Sequence, residues 1–371
     1  MSHDTSRTGV IDWPRDGVAY LRDPARHWRC HPADPMVPPA LLRHHDLRPG
    51  TIVSGPVSDG PRPALQAVVT IEGRGLVDQP ERRDFADLTA IDPHRRIRLE
   101  TGPTPLTMRV LDLLTPIGKG QRGLLVAPPR TGKTVLLQQV AAALTANHPE
   151  VALIVLLVDE RPEEVTEIRR SVQGLVIASS SDQSIEEHVR LAELTVARAQ
   201  RLAEAGTDVF LLVDSLTRLA RAYNKQTATG RTMTGGVDIK ALEVPKRLFG
   251  AAREFEEGGS LTVLATCLIE TGSRMDDLIF QEFQGTGNME AVLDRRLADR
   301  RVYPALDISR SGTRKEEKLL GPETTQRMAL VRRTLADLKP VEAMEAFLKQ
   351  LGKSPSNAEF LEDLGKKSAP R

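Results

Sequence analysis

A chain of 371 residues with 40% hydrophobic and 27% charged content can hold two domains and a real core, which excludes a disordered or fibrous protein. Its formal charge of +1 gives no global field to draw in nucleic acid, so any such contact must come from local groups. Cys30 and Cys267 are isolated and match no zinc spacing, the polar start Met-Ser-His-Asp-Thr-Ser-Arg resembles no signal peptide, and no apolar run is long enough to span a bilayer; a reduced, cytoplasmic setting without membrane contact is expected.

Along the chain, residues 1–8 read as a disordered tail. Over 9–75, short apolar runs at 9–13, 18–21, 50–54 and 67–71 are each bounded by turn residues, which predicts a small all-β unit. The polar stretch 76–105 reads as a linker and docking segment. From 106 to 371 the pattern is α/β, with strand candidates at 123–127, 151–158, 175–178, 209–213 and 261–268 and helical patterns between most of them. One long helix is expected from Ser184 to Ala205, with Gly206 placed to end it. Continuous rather than alternating apolar strands imply a mostly parallel sheet covered by helices on both faces. Ligands of such a sheet bind at the carboxyl ends of its strands.

The most informative stretch is Gly123-Leu-Leu-Val-Ala-Pro-Pro-Arg-Thr-Gly-Lys-Thr134, a strand, a turn and a helix start in the layout of a P-loop. Successive backbone N–H groups of such a turn face a phosphate, and the helix dipole adds to them. Lys133 is placed to reach the β/γ-phosphates of ATP, and the Thr134 hydroxyl to ligate Mg²⁺. Ala127 stands where the general pattern has glycine, and Pro128-Pro129 stiffens the entry. The strand at 151–158 runs into Glu160, a carboxylate placed to polarise an attacking water; Glu163 and Glu164, after Pro162, suit a helix start. The strand at 209–213 ends in Asp214-Ser215, where Asp214 suits a magnesium-holding acid acting through water and Ser215 a helix cap.

Longer blocks extend the pattern: Pro116-Ile-Gly-Lys-Gly-Gln-Arg-Gly123, Val158-Asp-Glu-Arg-Pro-Glu-Glu-Val-Thr166, Asp214-Ser-Leu-Thr-Arg-Leu-Ala-Arg-Ala-Tyr-Asn224, Thr234-Gly-Gly-Val-Asp238, Phe249-Gly-Ala-Ala-Arg253, Gly285-Thr-Gly-Asn-Met-Glu290 and Arg310-Ser-Gly-Thr-Arg-Lys-Glu-Glu317. On these blocks the chain, from about Thr107 to Phe360, resembles the bacterial transcription termination factor Rho family, whose P-loops also carry the alanine. The resemblance implies a RecA-like ATPase core behind an OB-fold of cold-shock type. It further implies a homohexameric ring with ATP between subunits and single-stranded RNA in the channel, with RNA polymerase and elongation factors as further partners. It places Gly118, Lys119, Gly120, Gln121, Arg122 and Gly123 on the nucleotide, with Arg130, Thr131, Gly132, Lys133, Thr134 and Val135. Glu160 resembles the catalytic base, with Arg161 at the same site, and Tyr303 the aromatic that packs on adenine. Arg314 resembles an arginine finger supplied by the neighbouring subunit, a device worth about 10³–10⁵ in rate.

Two loops are expected to face the RNA: Arg231, Thr232, Met233, Thr234, Gly235, Gly236 and Val237 in one, and Thr271-Gly-Ser-Arg274 in the other. Arg231 and Arg274 stand where the family is expected to have lysine, which keeps charge and changes donor geometry. In the N-terminal unit the family's Gly-Phe-Gly-Phe-Leu-Arg reads Gly17-Val-Ala-Tyr-Leu-Arg22, so Tyr20 and Arg22 remain as RNA contacts while one aromatic is gone. Met36 stands at a tyrosine position, no aromatic lies near Arg62-Pro-Ala-Leu65, and the β pattern starting at about Gly9 leads to the expectation that the family's preceding helical subdomain is missing. At about 1–3 kcal/mol per stacked base, these losses predict a weakened primary RNA site. Trp13 and Trp28 are expected in core or contact roles. Two alternatives remain at this point: a rotary or secretion-type ATPase subunit, which shares the core, and a non-terminating regulatory paralogue.

Overall fold

The computed structural model describes residues 5–14, 17–78, 83–227, 235–238 and 240–368. The N-terminal unit is built on strands β1 (Thr5–Asp12), β2 (Ala19–Arg22), β3 (Met36–Val37), β4 (Ile52–Val57), β5 (Thr70–Ile71) and β6 (Arg74–Gly75), with helix α1 (Pro39–His44) between β3 and β4. They pair antiparallel in the order β3-β2-β1-β4-β5-β6. Bridges Met36↔Ala64 and Val57↔Leu65 fold the segment after β4 back onto both β3 and β4. Residues 5–8 do not form the expected tail. They pair in register with β4, from Thr5↔Val57 to Thr8↔Ser54, which satisfies their backbone groups. The inner face packs Ile11, Leu21, Val37, Val53, Leu65 and Ile71 into a small core.

The segment expected as a linker is held where it is described. Phe85 and Leu88 join a core cluster of the larger unit, β7 (Ala90–Ile91) pairs with β14 (Arg253–Phe255), and β8 (Arg96–Ile97) pairs with β9 (Ile117–Gly118). The main sheet runs β12-β11-β13-β15-β10-β16-β17, from β10 (Arg122–Ala127), β11 (Ala152–Glu160), β12 (Leu175–Ser180), β13 (Asp208–Asp214), β15 (Ser260–Leu268), β16 (Met289–Val292) and β17 (Gly312–Thr313). Six of these strands are parallel; β17 closes the edge antiparallel to β16. The short β16, interrupted by Glu290, was not among the strands expected from the sequence.

Alternating side chains feed two cores. Leu125, Ala127, Val155, Leu157 and Leu212 face one layer, which holds α2 (Leu106–Leu114), α3 (Lys133–Asn147), α4 (Pro162–Ser171) and α12 (Pro340–Leu351). Leu124, Val126, Ile154, Leu156 and Val213 face the other, which holds α5 (Ile185–Glu204), α6 (Leu216–Thr227), α7 (Glu243–Gly250) and α8 (Arg274–Gln284). The rest of the chain adds α9 (Arg295–Asp299), α10 (Glu317–Leu320), α11 (Pro322–Leu335) and α13 (Asn357–Ser368). Two buried faces explain why the strands read as unbroken apolar runs.

The expected long helix is α5. Ser184 caps it by accepting from the Glu187 N–H (3.3 Å), and Gly206 follows its end at φ 83°. The N-terminal unit docks on this helix. Arg190 donates to Asp12 (2.7 Å) and to the Trp28 carbonyl (2.8 Å), and Arg198 to Glu72 (2.7 Å). At Gly50, φ is 86° and an added Cβ would lie 2.4 Å from the Arg198 backbone nitrogen, so the turn before β4 rests directly on α5. Trp28 is buried in this contact, as expected, whereas Trp13 is half exposed with its indole N–H on the Gly17 carbonyl (3.2 Å). Cys30 and Cys267 are both free thiols, the first exposed and the second buried in β15.

Candidate nucleotide and RNA site

The turn between β10 and α3 has the shape the sequence predicts. Arg130 (φ 65°) and Gly132 (φ 84°) take left-handed conformations, and the buried Thr131 hydroxyl donates to the Pro128 carbonyl (2.8 Å). A Cβ at Gly132 would lie 3.3 Å from the Tyr303 ring, so the loop packs closely against that aromatic. Beside it opens a cavity of about 210 Å³ lined by Thr107, Val135, Leu136, Gln139, Leu293 and Tyr303. That volume suits a base rather than a whole nucleotide. Arg130 and Val135 are exposed at the rim.

Glu160, Asp214 and Lys133 converge. The Lys133 ammonium pairs with Asp214 Oδ1 and lies 3.5 Å from Glu160 Oε1; Asp214 Oδ1 also accepts from the Thr266 hydroxyl (2.7 Å). A register shift between Val158 and Glu160 marks a bulge in β11, with Asp159 at φ 56°. The extra residue leaves the Asp159 side chain 44% exposed and that of Glu160 3% exposed. Both Glu160 carboxylate oxygens are buried without a hydrogen bond. Burial, then repulsion from Asp214, pushes the Glu160 carboxyl up to about 7, against the pull of Lys133 and Arg218. Ser215 takes the helix-start role, accepting from the Arg218 N–H (3.2 Å), which leaves Asp214 free of it. Arg161 is exposed at the N-cap of α4.

Arg218 had no role in the sequence reading. Its guanidinium lies 3.3 Å from Glu160 Oε2 and donates to the Asp159 carbonyl. The available signal was spacing: it stands one helical turn after Asp214. Two turns of the same helix reach further. Arg221 donates to Asp276 (2.8 Å) at the start of α8, and the Asn224 amide donates to the Gly236 carbonyl (3.0 Å) and accepts from the Asp238 N–H (2.7 Å). A Cβ at Gly235 would lie 3.2 Å from the Arg274 carbonyl, so the two loops expected to face RNA touch each other. Arg274 is exposed and Val237 is buried. Arg231, Thr232, Met233 and Thr234 lie outside the described residues.

The geometry bears on two further groups of expected residues. Gly118 to Gly123 do not line the P-loop of their own chain. They sit at the opposite end of β10, on the order of 20 Å away. There Lys119 pairs with Asp208 (2.7 Å), the Gln121 amide donates to Asn288 (2.7 Å), and Gly120 at φ 83° lets the turn lie on the backbone of Arg253 and Glu254. Arg314 lies at that same end, its N–H on the Asn288 carbonyl (2.8 Å), with its side chain exposed.

The second group holds Arg22, which is no free cation for RNA. It is buried between Asp12 (2.7 Å) and Asp34 (2.8 Å), where charge pairing offsets its desolvation. Its guanidinium also covers one face of Tyr20 at 4.7 Å. Tyr20 pairs with Met36, and Met36 with Ala64, so three positions meet on this surface and one aromatic ring serves them.

Comparison with known proteins agrees with this geometry. The model of the ATP synthase alpha/beta family nucleotide-binding domain matches residues 107–313. The transcription termination factor Rho of Streptomyces coelicolor is 53% identical over 355 residues, covering 95% of this chain and 84% of the relative. The Rho proteins of Aquifex aeolicus (49% identical, 95% and 83% covered) and Pseudomonas aeruginosa (47%, 98% and 89%) are similar over the same extent. Among solved structures, an ATPase of a bacterial type III secretion system overlays with a TM-score of 0.65 at 22% identity, covering 83% of this chain and 94% of that one. At that identity the likeness concerns the fold alone.

Proposed function

This chain belongs to the transcription termination factor Rho family, and from that premise we propose that it is an RNA-dependent ATPase whose nucleotide is closed between two copies of the chain. Lys133, Glu160 and Asp214 form the hydrolytic side of one copy, and Arg314 of the next copy completes it. The observation that carries this reading is the Glu160 carboxylate: buried, without a hydrogen bond, and beside both the P-loop lysine and Asp214.

The residues at this centre fit magnesium. Asp214, Glu160 and the Thr134 hydroxyl are hard oxygen donors, and the Lys133 ammonium now stands between the two carboxylates as a cation would. When bound, the ion would neutralise charge on the β- and γ-phosphates. Thr134 and Asp214 would hold it, the latter through water. Lys133 then turns from the carboxylates to the phosphate oxygens. Glu160, with a carboxyl near 7, takes a proton from the attacking water, and Arg218 fixes the orientation of its second oxygen. Tyr303 and the cavity beside Gly132 receive the base.

Helix α6 supports the RNA dependence. It carries Asp214's successor residues, Arg218 toward Glu160, and Arg221 and Asn224 toward the loops that hold Arg274 and Gly235–Val237. An RNA strand seated on those loops bears on the same helix that positions the base. Six copies in a head-to-tail ring would turn a near-neutral chain into a ring of positive charge around the strand. In this reading the OB-like N-terminal unit contributes little to loading, and RNA polymerase or an elongation factor brings the ring to its transcript.

The test is ATP hydrolysis with and without polycytidylate and polyuridylate. Stimulation by either RNA, abolished in Glu160→Gln, is the expected outcome. RNA-independent hydrolysis would contradict the RNA dependence and leave ATP hydrolysis alone standing.

A further inference from the structure

We propose that Arg332, on helix α11, is a positioning residue for hydrolysis: it fixes the loop that carries Arg314, and so sets how far and in which direction that arginine reaches. The proposal rests on the shared-cleft reading above and adds to it a residue that touches no nucleotide.

The loop runs from Asp307 to Arg314 and is tied to the sheet at both ends. The Asp307 N–H donates to the Val292 carbonyl (2.8 Å), and the Val292 N–H donates to the Ser311 hydroxyl (2.9 Å). Gly312 and Thr313 pair with β16 just before Arg314. Between these ties the chain turns on the Asp307 carboxylate, which accepts from the N–H groups of Ser309 (2.9 Å) and Arg310 (3.2 Å). Arg332 spans the turn. Its Nη1 donates to the carbonyls of Ile308 (2.8 Å) and Ser311 (3.0 Å), and its Nη2 to the carbonyl of Leu114 (2.6 Å). Leu114 is the last residue of α2, where a helix leaves carbonyls without an internal donor. The Thr313 hydroxyl adds a tie to the same corner through the Pro116 carbonyl (2.7 Å). One guanidinium thus joins the end of α2 to both sides of the turn that leads into Arg314.

The chemistry of the position asks for this side chain. Arg332 is half-buried and, among the described residues, takes part in no ion pair; burial makes it hold its proton less tightly, with Glu316 acting the other way. Withdrawing a cation from water without a paired carboxylate costs stability. What it gains is a planar fork of N–H donors aimed at three carbonyls at once, which a flexible ammonium does not supply. Arg314 needs such support. Its side chain is exposed and, among the described residues, has no hydrogen bond or ion pair of its own, so the backbone beneath it decides where the guanidinium points. A reacting group misplaced by about 1 Å can lose about 10²-fold in rate, and a finger arginine is worth about 10³–10⁵. Loosening the turn is therefore enough to forfeit a large part of that effect while the nucleotide still binds.

A cycle of variants in the full chain tests this, read as RNA-stimulated ATP hydrolysis. Arg332→Met keeps the apolar stem and removes the fork. It is expected to lower kcat by about 10–10²-fold and to leave KM for ATP within about twofold. Placed on top of Arg314→Ala, the same substitution should lower kcat by less than about twofold, because Arg332 acts through Arg314. An equal loss in both backgrounds would assign Arg332 to general stability and overturn the proposal; so would an unchanged kcat in Arg332→Met. Mixing each variant with Lys133→Ala chains separates this from the reading it rests on. Activity above that of either chain alone is expected for Arg314→Ala and for Arg332→Met alike. No recovery with Arg314→Ala contradicts the shared cleft, whereas recovery with Arg314→Ala but not with Arg332→Met overturns the positioning role alone. Should Arg332→Met fail to assemble, Arg332→Lys keeps the charge and loses the fork. It is expected to assemble and to lose at least about fivefold in kcat at unchanged KM; full activity in that variant also overturns the proposal.

Discussion

Glu160 is the residue on which the chemistry turns, and its environment sets a measurable pH dependence. Its carboxyl titrates near 7, so the base is ionised only as pH rises through that value. The RNA-stimulated kcat/KM for ATP should therefore climb with a midpoint near 7, and Glu160→Gln should flatten the profile and lower kcat by about 10²–10⁴. Stability follows the opposite course. An acid whose folded-state value lies above its ordinary value binds more protons folded than unfolded between the two, so the nucleotide-free protein loses stability as pH rises from about 4.5 to 7. Removing the charge in Glu160→Gln should raise the melting temperature at pH 8 and change it little at pH 4. Equal shifts at both values would contradict a buried, strained carboxylate. Lys133→Ala should strand Glu160 and Asp214 without their ammonium and abolish hydrolysis, measured as loss of phosphate release under saturating RNA.

At the scale of elements, the N-terminal sheet and α5 behave as one piece. Gly50 has no room for a side chain against Arg198, so Gly50→Val should push the sheet off the helix at a cost on the order of 2–4 kcal/mol. Hydrogen exchange would then accelerate in β1 and β4 while the sheet around β10 stays protected. The RNA surface of this unit can be tested by restoring what is missing. Met36 is 41% exposed between Tyr20 and Ala64, and Met36→Tyr adds a second ring beside the one already there. A gain of about 1–3 kcal/mol in affinity for short single-stranded RNA is expected. No gain would mean that the surface has lost more than its aromatics.

The whole molecule explains which of its features could be read from residues alone. The P-loop, the two strand-end carboxylates and the parallel sheet were legible because each is local: an apolar run, a turn and a helix adjacent in sequence. Arg218 was legible only as a residue one helical turn after Asp214, since its approach to Glu160 depends on the bulge at Asp159. Arg22 was misread because its partners Asp12 and Asp34 are brought to it by two different strand pairings. Gly118 to Gly123 resembled nucleotide ligands in one dimension and stand at the far end of the strand in three. They regain that role only if a second copy supplies the triphosphate, which is the central claim of this account. The direct measurement is the specific ATPase activity across a dilution series in saturating RNA, with mass followed by light scattering in the same samples. Activity that falls away as the assembly dissociates into single chains is predicted. Single chains that hydrolyse ATP at the full rate would contradict it.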